Sequence, residues 1–296
     1  MLLIQKRRVN MTIEVQITRS ACCGVEAEEI SSTVVEPVFD RSDAYDIKSV
    51  VRSAYTEAAQ KGAGCGCSST TSNDAAVFMD DDYENIEGYV ADADLGLGCG
   101  IPTDIAGIEA GHRVLDLGSG AGIDAFIARD LVGESGSVIG VDFTPAMVEL
   151  ARKNNQKLGF TNVEFYLGDI ESLPLEDNVV DVIVSNCVLN LVPDKAKAFS
   201  EMARVLAPGG HFCISDVVSR GELPEDVRHS AEQYAGCVAG AIDLDKYVAL
   251  LAEAGFKNIQ IVKERVVRVP VAVECDGAIV SITVRGDAPP AYVSPA

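Results

Sequence analysis

Arg113-Val-Leu-Asp-Leu-Gly-Ser-Gly-Ala-Gly122 joins a short apolar run to three glycines within five positions. The run from Arg113 to Leu117 has the length and side chains of a buried strand. Glycines at 118, 120 and 122 let the backbone turn tightly and leave room for a ligand against it, at the N-terminus of a helix predicted through Ala128. Further strands are predicted at 137–142, 163–167, 179–185, 211–216, near 259–262 and near 279–284. Between them, one helix starts at Pro145 behind Thr144 as N-cap and runs to Leu158. A second runs from Asp194 to Leu206 and is stopped by Pro208-Gly-Gly210, and a third runs from Asp243 to Ala254 before Gly255. Strands alternating with helices predict an α/β fold, a doubly wound, mostly parallel, seven-stranded sheet covered on both faces.

Upstream, Asp46 to Gln60 reads as a short helix, with Ile47, Val50, Val51, Ala54 and Tyr55 at helical spacing. Glycine- and hydroxyl-rich loops follow, at 62–74 and at Leu95-Gly-Leu-Gly-Cys-Gly-Ile-Pro102. The expected organisation is an N-terminal extension at 1–45, a cysteine-containing segment at 46–110, an α/β core at 111–216 and a C-terminal region at 217–296.

With 48% apolar and 23% charged residues, the chain has the balance of a soluble globular protein. No run reaches the ~18 apolar residues that a membrane span needs. Met1 to Asn10 carries its basic residues after a three-residue apolar run, which is not a signal peptide's order, and Met11 is an alternative start. A cytoplasmic monomer is expected. Forty-five acids against 24 bases give a net charge of −21, which repels phosphate backbones and anionic lipids, so neither nucleic acid nor membrane is an expected partner.

Nine cysteines stand at 22, 23, 65, 67, 99, 187, 213, 237 and 275. Their odd number in a reducing compartment argues against a disulfide framework. Three histidines and no paired CxxC argue against a zinc ribbon. Cys213, inside an apolar strand, and Cys275 read as buried small hydrophobes. Cys187 lies just past a strand's carboxyl end, where open α/β sheets bind ligands, and glycines beside Cys99 and Cys237 allow close approach of a bulky centre.

The loop is GxGxG rather than the dinucleotide GxGxxG, since Ile123 stands where the third glycine would be. Asp142 ends the second strand, placed to take both hydroxyls of a ribose. Together these residues resemble the class I S-adenosylmethionine-dependent methyltransferases. Gly168-Asp169 and Arg204-Val-Leu-Ala-Pro-Gly-Gly210 are similar to two further motifs of that family. The resemblance implies a cofactor lying along Asp116, Gly118, Ser119, Gly120 and Gly122. Around it would stand Asp142, Phe143, Met147, Gly168, Asp169, Ile170 and Ser185.

Leu95-Gly-Leu-Gly-Cys-Gly100, Ser185-Asn-Cys-Val-Leu-Asn-Leu191 and Tyr234-Ala-Gly-Cys-Val-Ala-Gly-Ala241 resemble the arsenite methyltransferases, a likeness that covers roughly 46–286. It implies As(III), delivered as a thiol complex and held by Cys99, Cys187 and Cys237. An N-terminal cysteine would take part in turnover. Cys65 and Cys67 match its place better than Cys22 and Cys23. A thiol reductant, thioredoxin or glutathione, would reset the cysteines. Soft thiolates suit that centre, and a lone pair that attacks without losing a proton needs no general base. Two other functions compete: methylation of a quinone- or sterol-like molecule, and metalloid binding without turnover. The intact glycine loop and Asp142 argue against the second.

Overall fold

The computed structural model describes residues 44–61, 83–221, 223, 240–267 and 279–289. Cys22, Cys23, Cys65, Cys67, Cys237 and Cys275 lie outside them. All the described residues fall within one compact unit.

The elements run α1 (Ala44–Lys61), α2 (Pro102–Ile105), β1 (Arg113–Leu117), α3 (Ile123–Val132), β2 (Ser137–Asp142), α4 (Pro145–Leu158), β3 (Val163–Leu167), β4 (Val180–Asn186), α5 (Lys195–Val205), β5 (Leu206–Ser219), α6 (Leu244–Glu253), β6 (Lys257–Val266) and β7 (Ile279–Asp287). The seven strands form a single sheet in the order β3-β2-β1-β4-β5-β7-β6. Strands β1 to β5 are parallel, and β7 inserts antiparallel between β5 and β6. This is the doubly wound, mostly parallel sheet that the alternation predicts.

Burial on both faces explains the apolar Val114, Leu115 and Leu117 of β1. One face packs Phe199, Met202, Tyr247 and Leu251 of α5 and α6 against the sheet, and the other packs Ala125, Phe126, Val148 and Ala151 of α3 and α4. Strand order reverses between β1 and β4. That switch point is where a crevice opens at the carboxyl ends of the strands.

Several boundaries differ from expectation, and α3 runs on to Val132 past Ala128. Pro208-Gly-Gly210 does not precede β5 but lies inside it. Leu206 already pairs with Val180, and the register slips before His211 meets Val182. The extra residues bulge out, Gly209 takes φ +84°, and a side chain at Gly210 would strike the Asp181 carbonyl at 2.6 Å. β6 and β7 run on to Val266 and Asp287 because they pair with each other along their length. Thr144 does cap α4, but without a side-chain bond to its backbone. No described helix is long and apolar enough to cross a membrane.

Candidate functional site

The glycine loop after β1 is tied to β2, Gly118 and Ser119 both donating to the Val141 carbonyl at 2.8 and 3.1 Å. Its three glycines have positive φ for different reasons. A Cβ at Gly118 would lie 2.3 Å from Val188, and one at Gly122 would meet the Phe126 and Phe165 rings. One at Gly120 would meet nothing within 4 Å. That open space is the floor of a cavity at the switch point.

Carboxylates surround the cavity. Asp142 ends β2 buried, accepting from the Gly120 N–H at 3.0 Å and the Thr144 N–H at 2.8 Å. Burial nevertheless raises its carboxyl, against the pull of those two donors. Asp116 is raised well above the carboxylate range by burial first and then by the charges of Asp124 and Asp142. Asp124, in the first turn of α3, is lifted to about 6 by burial, although Asn186, Tyr83 and Thr103 donate to it. The Asp116 Oδ2 and the Ser119 Oγ are buried and find no partner among the described residues. Desolvated carboxylates and unpaired polar atoms facing one space call for a ligand that is cationic and rich in hydrogen-bonding groups.

Helix α1 closes one side, with Lys48, Val51 and Tyr55 on the cavity wall. Lys48 bridges Asp169 at 2.6 Å and Glu171 at 2.7 Å, and the Arg52 guanidinium sits 5.3 Å above the Phe143 ring. Asp169 is thereby held to a helix that the sequence places in a different segment.

Of the residues named from the sequence, Asp116, Gly118, Ser119, Gly120, Asp142, Phe143, Met147, Asp169, Ile170 and Cys187 line this cavity. Gly122 lies behind it at the start of α3, and Gly168 packs on Pro174. Ser185 is fully buried and donates to the Leu117 carbonyl at 2.9 Å, so it joins β4 to β1 and leaves the wall to Asn186. Period-2 alternation along β4 is the signal that separates the two.

Tyr83, Asp124 and Asn186 were not read from the sequence. The Tyr83 hydroxyl lies 2.9 Å from the Gly100 carbonyl and 3.2 Å from Asp124, sharing its one proton between the two acceptors. Asn186 donates to the same carbonyl at 2.7 Å and accepts from the Cys99 N–H at 2.9 Å. Cys99 is almost fully buried, just behind Gly98 on the wall.

Cys187 holds φ +57°. The other described non-glycine residues with positive φ are Asn178 and Asn258, of a type that tolerates the left-handed region, and cysteine is not. The strain persists because Cys187 N–H donates to the Ser215 carbonyl at 2.8 Å and Val188 is wedged against Gly118. Strain of this kind collects at functional sites. Both thiols lie within electrostatic reach of the buried Tyr247 hydroxyl.

That hydroxyl donates to Asp216 at 3.0 Å. Burial lifts the Asp216 carboxyl to about 7, opposed by donors that include Val217 N–H and by the charge of Lys195. The folded chain thus keeps a proton that the unfolded chain releases near pH 4. Stability associated with the neutral carboxyl fades as pH rises from about 4 to 7, at up to ~1.4 kcal/mol per unit. Asp216→Asn does not titrate, so its melting temperature relative to wild type should rise by about 5 °C from pH 5 to pH 7. Thermal melts at the two pH values check this, and a constant difference would return Asp216 to an ordinary carboxylate.

A family model described as a methyltransferase domain matches residues 108–255. The arsenite methyltransferase of Halobacterium salinarum is 41% identical, covering 82% of this chain and 64% of the relative. The human arsenite methyltransferase is 37% identical over 63% of this chain and 51% of its own. A crystal structure of an arsenic (III) S-adenosylmethionine methyltransferase from Chlamydomonas reinhardtii is 41% identical, with a TM-score of 0.60, over 66% of this chain and 69% of that one. The chain spans about half to two thirds of the length of these curated relatives.

Proposed function

We propose that this chain, which belongs to the arsenite methyltransferase family, transfers a methyl group from S-adenosylmethionine to trivalent arsenic held by its own cysteine thiolates. One observation carries the proposal. Cys187 is held in a strained turn on the wall of an acidic cavity, at the carboxyl end of β4, and its neighbour Asn186 pins Cys99.

When bound, S-adenosylmethionine supplies a methyl carbon on positively charged sulfur. The residues present fit it. Gly118 to Gly120 would let it lie against the backbone, and Asp142 would accept from ribose hydroxyls. The unpaired Asp116 Oδ2 and Ser119 Oγ would meet its amino acid end, and Asp169 and Ile170 its base. A cation among Asp116, Asp124 and Asp142 would restore the charged carboxylates that burial disfavours.

On the acceptor side, Cys99, Cys187 and Cys237 would hold As(III) as a pyramid with its lone pair free. No general base is required, since that nucleophile carries no proton. The protein's share of the work is placement, which in favourable intramolecular cases is worth up to ~7–11 kcal/mol. Methylation takes arsenic formally from As(III) to As(V). Two cysteines, one of them Cys65 or Cys67, would return two electrons to arsenic and leave as a disulfide. Thioredoxin or glutathione would reopen that bond by exchange. The acceptor would reach the enzyme as an arsenite–thiol complex, in the cytoplasm, and the enzyme would act as a monomer.

Incubating the protein with S-adenosylmethionine, arsenite and a thiol reductant should give methylated arsenic, resolved by chromatography with elemental mass spectrometry. No methylated arsenic despite demonstrated cofactor binding would overturn the proposal.

A further inference from the structure

Both backbone groups of Cys99 are held by side chains from distant strands. Its N–H donates to Asn186 Oδ1 at 2.9 Å, and its carbonyl accepts from Ser281 Oγ at 2.6 Å. Loop peptides usually satisfy such groups within a turn or with water. Here the partners come from β4 and β7, 87 and 182 residues away in sequence.

The Asn186 amide nitrogen is also committed, donating to the Gly100 carbonyl at 2.7 Å and to Asp124 Oδ2 at 3.1 Å. One side chain therefore grips the loop at two points, the peptide before the Cys99 Cα and the one after Gly100. The flanking glycines follow from how closely the loop is drawn in. A Cβ at Gly98 would lie 2.9 Å from Asn186 Nδ2, and one at Gly100 would lie 2.4 Å from Ser215 Oγ. Ser215 in turn bonds Thr283 at 3.0 Å and offers its carbonyl to the Cys187 N–H. The Gly-Cys-Gly loop is thus fastened to β4 and β7, and the Cys187 turn to β5, the strand between them.

Building on the arsenic proposal above, we infer that Asn186 and Ser281 are positioning residues that fix the Cys99 thiol against Cys187, so that the pair is preorganised for two bonds to As(III). Neither residue touches arsenic. Asn186 adjoins Cys187 in the chain, so a single side chain sets where both thiols stand. When a trivalent arsenical binds, each As–OH bond is exchanged for an As–S bond, and the thiol proton leaves with the hydroxide as water. Arsenic stays trivalent throughout. Loose thiols would lose their freedom at that moment, whereas thiols already ordered lose little, and the difference appears as affinity.

Phenylarsine oxide, hydrated to two exchangeable As–OH groups, is a suitable probe. After limiting exposure and proteolysis, mass spectrometry reads the fraction of label that bridges the Cys99 and Cys187 peptides. Wild type should form this bridge. Asn186→Ala and Ser281→Ala should lower it about tenfold and raise the KM for arsenite about tenfold, and in Ser281→Ala, away from the cavity wall, kcat should change less than threefold. Ser281→Thr keeps the hydroxyl and should restore both quantities. Ser281 is not on the cavity wall, so Ser281→Ala should bind S-adenosylmethionine within twofold of wild type, which also shows that it has folded.

A bridge that forms in wild type and equally in both alanine variants would overturn the inference and leave the arsenic proposal standing. Equal loss in Ser281→Ala and Ser281→Thr would overturn it too, because the hydroxyl would then not matter. No bridge in wild type would overturn the arsenic proposal itself, and this inference with it.

Discussion

Cys187→Ser should lower the rate of arsenic methylation at least ~100-fold, equivalent to about 2.7 kcal/mol or more of lost transition-state stabilisation, while S-adenosylmethionine affinity stays within about threefold. Serine is nearly the same size and keeps the hydrogen-bonding backbone, so the Ser215 contact and the turn survive. What changes is the donor atom. A hydroxyl oxygen is hard and keeps its proton at neutral pH, whereas a thiolate is soft and matches a thiophilic centre. An organic acceptor would be indifferent to the exchange. Retained activity toward arsenic would remove Cys187 from the acceptor site, and cofactor titration separates that result from misfolding.

Gly118→Ala should be the most damaging single change in the cofactor loop. Its φ of +71° costs an L side chain about 1–2 kcal/mol. The new methyl would lie 2.3 and 2.5 Å from the two Val188 methyls, and overpacking of this kind costs about 1–3 kcal/mol. A total of about 2–5 kcal/mol corresponds to a melting temperature lower by about 5–15 °C. Because Val188 follows Cys187, the relief of that clash would also move the thiol, so the 99–187 arsenical bridge should weaken along with cofactor binding. Gly120→Ala is the informative comparison. Nothing in the protein lies within 4 Å of its Cβ, so its stability loss should be confined to the φ cost while cofactor affinity falls. Equal melting of wild type and Gly118→Ala would show that Val188 yields freely.

What could be read from the sequence was what neighbours in the chain decide together. The β1 run and its glycines are contiguous, and a strand that must turn sharply into a helix leaves that local mark. The same holds for Cys187, whose place past β4 follows from topology. Pro208-Gly-Gly210 misleads because such a triplet ordinarily ends structure. It stays inside β5 only because Val180 on a neighbouring strand captures Leu206 ahead of it. Tyr83, Asp124 and Ser281 left no pattern at all, and Asn186 stood in the Ser185–Leu191 stretch with no role read for it. Each matters through a partner dozens of residues away, and none belongs to a spacing that periodicity detects. The Lys48 bridge to Asp169 crosses 121 residues and was hidden for the same reason.

The Ser281–Cys99 bond also bears on how the protein is made. A ribosome delivers Cys99 early and β7 late, so the loop emerges, and β1 to β5 can pair, before its second anchor exists. β7 is also the one strand that must slide in antiparallel, between β5 and β6, after β6 has been synthesised. The clamp on Cys99 is therefore complete only once β7 is in place. A nascent or truncated chain lacking β7 can present the glycine loop and the Cys187 turn, but it holds Cys99 by one hand only.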